Sequence, residues 1–187
     1  MKRLATTLLC IIAASTAGAE NLLHNSSFEH EARADNWGRT WGTFILESWN
    51  KPPDGIYAAY LRGGWCGTNF GGFMQSVTNV IPGTTYRLKG FFFVDNAWTA
   101  KKKALKLEFF NDSGTMLLSA TNDLAGLQNH TWEERAVEAI APPNTARAQI
   151  IVEASGISGN GVMGADVVEL EAVDPKLRQE QTTSTSP

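Results

Sequence analysis

The chain has 187 residues and a formal net charge of −3. It therefore presents no overall basic field for nucleic acid or anionic lipid. The length suits one domain with a full core. Cys10 and Cys66 are its two cysteines, too few for the disulfide framework of a small extracellular domain. Packing must supply the stability, with a bound ion as a further contributor if one is present.

The first nineteen residues have the pattern of an export leader. Lys2 and Arg3 form a basic start, residues 4–14 are an apolar run, and Ala17-Gly18-Ala19 predicts cleavage before Glu20. The run is too short for a membrane span. We expect a secreted, periplasmic or cell-surface protein, with Cys66 as its one remaining cysteine and a net charge of −5 after two cations are lost. A lipid anchor at Cys10 is the weaker alternative, because small residues do not precede it.

Strand-like runs separated by turns fill most of the remaining chain, and no amphipathic helix of useful length is found. The predicted strands are residues 57–61, 72–80, 85–95, 105–111, 116–120, 131–139, 146–154 and 162–172. Pro82-Gly83 and the segment 111–114 have typical turn compositions. Short strands with such turns predict an all-β protein, an antiparallel β-sandwich or barrel.

Two segments have little alternation. Residues 29–53 hold three of the six tryptophans, and we predict a long packed loop with at most one strand. Residues 174–187 are polar and end in QTTSTSP, which is typical of a disordered tail. The predicted organisation is a leader over 1–19, a β-sandwich over 20–173 and a tail over 174–187.

The strand over 85–95 has two different faces. Alternate residues of a strand point to opposite sides of the sheet. Leu88, Phe92 and Val94 form an apolar core row, whereas the opposite row mixes two cations with two rings: Arg87, Lys89, Phe91 and Phe93. Large exposed rings are unfavourable unless they pack on something or bind something. This row is a candidate binding surface.

Two further strands have polar residues at the positions opposite their core rows. If all three strands share a sheet, the outer face carries Arg87, Lys89, Phe91, Phe93, Lys106, Glu108, Phe110, Gln149 and Glu153. Sugars bind such mixtures, because C–H faces stack on rings and planar polar groups take hydroxyls. The alternative is that a loop such as 29–53 covers this face and makes a second small core.

The tryptophans divide into two groups. Trp37 and Trp132 are expected to pack in the core. Trp41, Trp49, Trp65 and Trp98 fall in predicted loops, where indoles are good platforms for sugar rings. Trp65 lies among glycines and Trp98 follows the two-faced strand, so we predict these two as ligand contacts.

Four segments in chain order resemble those of a known family. They are NLLHNSSFE (21–29), GGFMQSV followed by IPGTTYRLKGFFF, TWEERAVEAIAPPNTARAQIIVE, and GADVVEL. Together they resemble secreted carbohydrate-binding modules of the family four/nine/twenty-two type over residues 21–172. The resemblance implies a galactose-binding-domain-like jelly roll and a polysaccharide or glycan as partner.

The resemblance also implies a structural calcium ion. Glu29 and Asp166 match family positions that often hold calcium with oxygen ligands from the first and last strands. The family motif usually has a second Asp, and Val167 stands there in this chain. Surface acids or hydrogen-bonding corners are the alternative interpretation.

Enzyme signatures are absent from the sequence. The three histidines lack metal-binding spacing, and Gly156-Ile157-Ser158-Gly159-Asn160 ends in Asn where a nucleophile elbow requires Gly. We therefore predict a monomeric, non-catalytic glycan-binding protein whose ligand contacts are Arg87, Phe91, Phe93, Trp98, Glu108, Trp65 and Gln149. A structural or adhesive β-sandwich is the second hypothesis and a hydrolase or its accessory module the third.

Overall fold

Strands form nearly all the regular structure of the chain. The computed structural model describes residues 20–30, 35–42, 44–48, 50–63 and 69–173. The strands are β1 (Gly38–Gly42), β2 (Phe44–Glu47), β3 (Ala58–Arg62), β4 (Phe70–Val77), β5 (Thr85–Val94), β6 (Trp98–Thr99), β7 (Lys102–Phe110), β8 (Met116–Asp123), β9 (Glu133–Ile140), β10 (Arg147–Ser155), β11 (Ser158–Gly159) and β12 (Val162–Val173). No helix among the described residues is long and apolar enough to cross a membrane.

The strands form two antiparallel five-stranded sheets. Sheet I has the order β1-β4-β10-β7-β8, and sheet II has the order β2-β3-β12-β5-β9. Strands β6 and β11 form a separate two-stranded pair. The predicted all-β antiparallel sandwich is confirmed.

Alternation places the core between the two sheets. Buried side chains recur at every second residue of the central strands, with exposures of 0 or 1%: Tyr86, Leu88, Phe92, Leu105, Leu107, Phe109, Ala148, Ile150 and Val152. The apolar rows of β5, β7 and β10 are thus the inner rows, as their sequence period predicts. Their polar rows face outward from the sandwich.

All eight predicted strands are present with shifted ends, and the prediction for residues 29–53 is wrong. That segment contains two strands, β1 and β2, rather than a long loop. Each is the edge strand of a sheet, β1 paired with β4 and β2 with β3. An edge strand gains its structure from partners distant in sequence, so weak local alternation did not reveal it.

The N-terminal segment is tied to the last strand. The Leu22 amide donates to the Leu170 carbonyl at 2.8 Å, and Asn21 Oδ1 accepts from the Leu170 amide at 3.0 Å. Phe28 then packs against Trp37 and Phe73, with ring centroids 5.4 and 5.7 Å from its own. Trp37 is buried, as predicted. The opening residues of the segment are therefore part of the sandwich.

Candidate functional site

The predicted contacts on β5, β7 and β10 lie on two opposite surfaces of the sandwich. Strand β5, with Arg87, Phe91 and Phe93, belongs to sheet II, whereas β7 and β10, with Glu108 and Gln149, belong to sheet I. The condition stated above, that these strands share a sheet, is not met. Alternation has the same period in either sheet, so it could not assign strands to sheets. Arg87, Phe91 and Phe93 therefore cannot form one site with Glu108 and Gln149.

One end of the outer face of sheet II is closed by a second small core. Phe93 is 2% exposed and clusters with Ala58, Tyr60 and Val162, with Trp132 packed against the group. The Phe93 and Trp132 ring centroids are 5.4 Å apart. Phe93 does point away from the main core, but it is covered and offers no open stacking surface.

The cover over Phe93 includes the loop that precedes β3. Trp132 Nε1 donates to the Asn50 carbonyl at 3.0 Å, which holds the indole against that loop. Phe91, two residues earlier on β5, is half-buried. The alternative raised by the sequence, a covered face, therefore describes this end of sheet II.

The rest of this face is occupied by ion pairs. Arg87 Nη2 lies 3.3 Å from Glu134 Oε1, and Lys89 Nζ lies 3.1 Å from Glu169 Oε2 and 3.8 Å from Glu171 Oε1. Opposite charges on neighbouring strands stabilise the sheet locally. A ligand would have to compete with these partners for Arg87.

The prediction that Trp98 is an exposed platform is wrong. Its side chain is 4% exposed and belongs to the main core cluster. Strand β6 pairs with β11, so that Trp98 lies opposite Gly159 in the register, and the lack of a side chain there lets the two backbones approach. Trp65, like Cys66 and Trp49, lies outside the described residues, and the predicted role of Trp65 stays a prediction.

The outer face of sheet I, by contrast, is a row of hydrogen-bonding side chains that crosses four strands. Ser119, Glu108, Gln149 and Ser76 occupy equivalent register positions on β8, β7, β10 and β4. Side chains directly opposite on neighbouring strands have Cβ atoms about 5 Å apart. Ser119 Oγ donates to Glu108 Oε1 at 3.3 Å. This row and its neighbours Phe110 and Arg147 are called the polar face.

Arg147 and Phe110 extend the polar face at one end. The Arg147 Cζ lies 4.0 Å from the centroid of the Phe110 ring, and Nη1 donates to Gln149 Oε1 at 3.0 Å. A guanidinium held by a ring and an amide is pre-ordered, which reduces the entropy lost when it binds a partner. Glu108, Phe110 and Gln149 were predicted on an outer face. Arg147 was missed, although it has the outward parity of Gln149.

A cluster of carboxylates lies above the middle of sheet II. Asp166 is fully buried; its Oδ2 accepts from the Asp54 amide at 3.0 Å and its Oδ1 from the Val167 amide at 2.8 Å. Glu29 Oε1 accepts from the amides of Ile56 and Tyr57 at 2.8 and 2.6 Å. Burial, and then the negative charges of Asp54 and Glu29, raise the pKa of Asp166 to about 7, although the two amides oppose the shift.

The backbone at this cluster is irregular. Val167 has a φ of 47°, and the register between β12 and β5 shifts between Asp166 and Glu169. A β-branched residue rarely adopts positive φ. The bulge lets Asp166 turn toward the Asp54 loop while Val168 returns to the core, where it is fully buried.

The carboxylate oxygens of this cluster are the type of ligand that a hard cation prefers. Two carboxylates whose charges disfavour each other would be relieved by a divalent ion. No group of three or more His, Cys, Asp or Glu side chains in the described ranges is arranged to hold a metal ion. A calcium ion there would need main-chain carbonyl oxygens for much of its coordination.

Comparison with known proteins identifies solved structures that share this fold. No family model matches the sequence, and no curated protein matches it. Solved structures do match. The enzymatically active domain of tailspike protein 4 from bacteriophage CBA120 is similar, with a TM-score of 0.66 and 19% identity over 82% of this chain, which spans 21% of the tailspike chain.

Two smaller structures match along almost their whole length. A family 61 module solved with β-1,4-galactotriose has a TM-score of 0.59 and 19% identity, over 83% of this chain and 100% of the other. The CBM22-1 xylan-binding domain of Xyn10C from Paenibacillus barcinonensis has a TM-score of 0.60 and 13% identity, over 83% of this chain and 96% of the other. The chain thus shares the β-sandwich fold of these carbohydrate-binding modules.

Proposed function

We propose that this protein is a non-catalytic carbohydrate-binding module that takes a glycan on the polar face of sheet I. The observation that supports the proposal best is the cross-strand row of Ser119, Glu108, Gln149 and Ser76. A carbohydrate presents several hydroxyls along its length, and these planar and hydroxyl groups supply both donors and acceptors. The fold is shared with modules solved with galactotriose or named for xylan binding.

The arrangement favours recognition by polar groups with a modest apolar contribution. Arg147 and Gln149 are already oriented by each other and by Phe110. Half-buried Met74 lies beside the row, paired in register with Ile151, which is only 7% exposed, and adds a small apolar surface for C–H groups. Pre-ordered polar groups set the orientation of a ligand, while apolar contact contributes affinity.

A glycan array of neutral and acidic polysaccharides, probed with the purified protein, tests the proposal. Gln149→Ala and Glu108→Ala should each weaken binding by about 1–2 kcal/mol, the cost of losing hydrogen bonds to a ligand, one of them charge-assisted. Their melting temperatures should stay close to that of the parent chain, because both side chains point away from the core.

Phe91→Ala is the matched control on sheet II. It removes a half-buried ring from the opposite surface, so binding should be unaffected. Weakened binding in Phe91→Ala, with no loss in Gln149→Ala, would transfer the site to sheet II. An array without any bound glycan would refute the proposed function.

Calcium at Glu29 and Asp166 is the second part of the proposal. The buried Asp166 carboxyl and its acidic neighbours support it. An ion bound there would connect the segment that precedes β3 with strand β12. Added calcium should raise the melting temperature and a chelator lower it, by mass action on the folded state. Asp166→Ala should abolish the response. A melt that ignores both additions would eliminate the ion.

A structural or adhesive role without sugar recognition is the second candidate. The closed cluster around Phe93 and the ion pairs on sheet II favour it, because that face is built for packing rather than for a ligand. The same array separates the two functions. Retention of the purified protein on isolated cell-wall or matrix preparations, with no bound glycan, would support the structural role.

Secretion and the absence of catalysis complete the proposal. The leader-like residues 1–19 support export to the cell exterior or periplasm. The similar structures include both binding modules and enzyme domains, so hydrolysis needs its own test. Incubation of the protein with each glycan that it binds should release no reducing ends.

A further inference from the structure

A lysine-rich cleft lies at one end of the outer face of sheet I, beside the polar face. It has a volume of about 380 Å³ and is formed where β7 begins. Its cationic members are Lys101, Lys102, Lys103 and Lys106. The cleft is noteworthy in a chain whose formal net charge is −3.

The local structure explains the depression. Lys102 and Lys106 lie on the outward row of β7, and the residue between them in that row is Ala104. Ala104 faces Glu153 on β10 and Asp123 on β8, so the small side chain is flanked by longer ones. The alanine forms the floor of the cleft.

Three of the four lysines are not neutralised within the protein. Lys106 forms an ion pair with Glu153. Lys101, Lys102 and Lys103 have no salt-bridge partner anywhere in the described part of the chain, and the first two are exposed. Asp123 lines the cleft but accepts a hydrogen bond from the Ala125 amide at 3.1 Å. With four lysines against two acids, the cleft carries a formal charge of about +2 at neutral pH.

Clustered cations without partners repel one another, which destabilises the fold slightly. An anionic ligand removes that cost and gains charge-assisted hydrogen bonds from the ammonium groups. A lysine ammonium acts as a point charge on a flexible stem, so it tolerates either a carboxylate or a sulfate. The cleft is therefore suited to anionic groups and not to hydroxyls alone.

The cleft and the polar face are close enough for one ligand. Ala104 and Glu108 are four residues apart on β7, which corresponds to about 13 Å along a strand. A chain of a few sugar rings can reach from the hydroxyl-binding row to the lysines. An extended polymer fits this open, linear arrangement.

We propose that the glycan bound by this protein is an anionic polysaccharide, whose carboxylate or sulfate groups lie in the cleft of Lys101, Lys102 and Lys103. The proposal rests on the proposed glycan-binding function and specifies its ligand class. Uronic acids and sulfate esters share the required chemistry. On sheet II, by contrast, Arg87, Lys89 and Arg135 already pair with glutamates.

The decisive experiment compares glycans that differ only in charge. Binding is measured by calorimetry for polygalacturonate against its fully methyl-esterified form, and for dextran sulfate against dextran. The charged member of at least one pair should bind at least about ten-fold more tightly, a difference that weakens in high salt because exposed charges are screened over about 8 Å at physiological ionic strength.

Variants locate the effect in the cleft. Lys101→Gln and Lys102→Gln, at the two exposed lysines, should each weaken binding of the charged glycan by about two- to five-fold, as for exposed ion pairs, and leave neutral binding unchanged. Lys51→Gln is the matched control, since it removes one positive charge from an exposed position before β3. A loss in Lys51→Gln equal to that in Lys102→Gln would show a general charge effect and overturn the proposal.

The outcomes separate this proposal from the function on which it rests. Binding of neutral glycans through Gln149, with no preference for charge, overturns the anionic ligand and leaves the proposed function intact. Absence of all glycan binding overturns both. A single-stranded oligonucleotide bound as tightly as the charged glycan would show an unspecific polyanion surface, which also overturns the proposal.

Discussion

Three aromatic residues for which we predicted the same role have different environments in the structure. Phe91 and Phe93 lie on the same strand and Trp98 follows it, and all were expected to stack on a ligand. Phe91 is half-buried, Phe93 is 2% exposed in the second cluster, and Trp98 is 4% exposed in the main core. The burial of Phe93 depends on Trp132 and that of Trp98 on the strand that contains Gly159, so these two residues contribute mainly to stability.

The stability role of Phe93 leads to a direct prediction. Phe93→Ala should lower the free energy of unfolding by about 3 kcal/mol, the usual cost of a large-to-small change at a fully buried ring. Phe91→Ala should cost about 1 kcal/mol or less, since that ring already contacts water. Urea denaturation of the two variants checks the difference. Equal losses would mean that the loop near Asn50 does not seal the cluster.

Asp166 gives the protein a pH-dependent stability. Its folded pKa is about 7, against an ordinary value of 3.8. Between these values the folded state holds a proton on Asp166 that the unfolded state has released. The contribution of Asp166 to stability is therefore fully present below about pH 4 and falls as the pH rises to about 7. In chelator, denaturation across this range should show the fall, and Asp166→Asn should flatten it. An unchanged profile in Asp166→Asn would assign the effect to another group.

At the scale of elements, the short β6–β11 pair secures Trp98 in the core. Gly159 has a φ of 82°, and a Cβ there would lie 1.8 Å from the Ala97 carbonyl oxygen. The Asn160 amide donates to that same carbonyl at 3.0 Å. The two segments can approach this closely because Gly159 has no side chain.

The pair can be tested with two glycines of similar φ. Gly159→Ala should destabilise the fold by about 2 kcal/mol or more, because the clash adds to the backbone strain. Gly114 has a φ of 81°, and a Cβ added there would meet nothing within 4 Å, so Gly114→Ala should cost only about 1 kcal/mol of strain. Thermal melts compare them. Equal losses of stability would indicate that the loop at Ala97 can shift away from the new side chain at little cost in free energy.

At the scale of the whole molecule, the outer faces of the two sheets carry different features. Sheet II has ion pairs, a second core and the carboxylate cluster on its outer side, whereas sheet I has the polar face and the lysine cleft. Packing and ion pairs thus occupy much of the outer side of sheet II, and for this reason we place the proposed ligand on sheet I. This division is consistent with a single binding surface per molecule.

The oligomeric state is predicted from the cysteines and the surface. If residues 1–19 are removed as we predict, Cys66 is the one cysteine left and no intrachain disulfide can form. We expect a monomer on size-exclusion chromatography whose elution and melting temperature are the same with and without reductant. A dimer that dissociates into monomers when reductant is added would show that Cys66 links two chains.

Local alternation in the sequence determined the eight longer strands from β3 onward, their core rows and the antiparallel sandwich. Leu105, Leu107 and Phe109 are buried as their period requires, because a strand turns successive side chains to opposite faces whatever its partners. The polar partners Glu108 and Gln149 could be predicted on an outer face for the same reason. Arg147 also follows this alternation, and its parity with Gln149 would have placed it on the same outer face.

Only the tertiary structure decided which outer face each row belongs to and which faces stay open. Period two is identical in sheet I and sheet II, so the placement of β5 apart from β7 and β10 depends on hydrogen bonds between distant segments. The cover on Phe93 depends on Asn50 and Trp132, which are 82 positions apart in the chain. Contacts of that kind leave no local pattern in a single sequence, and they moved the candidate site from the rings of β5 to the polar face of sheet I.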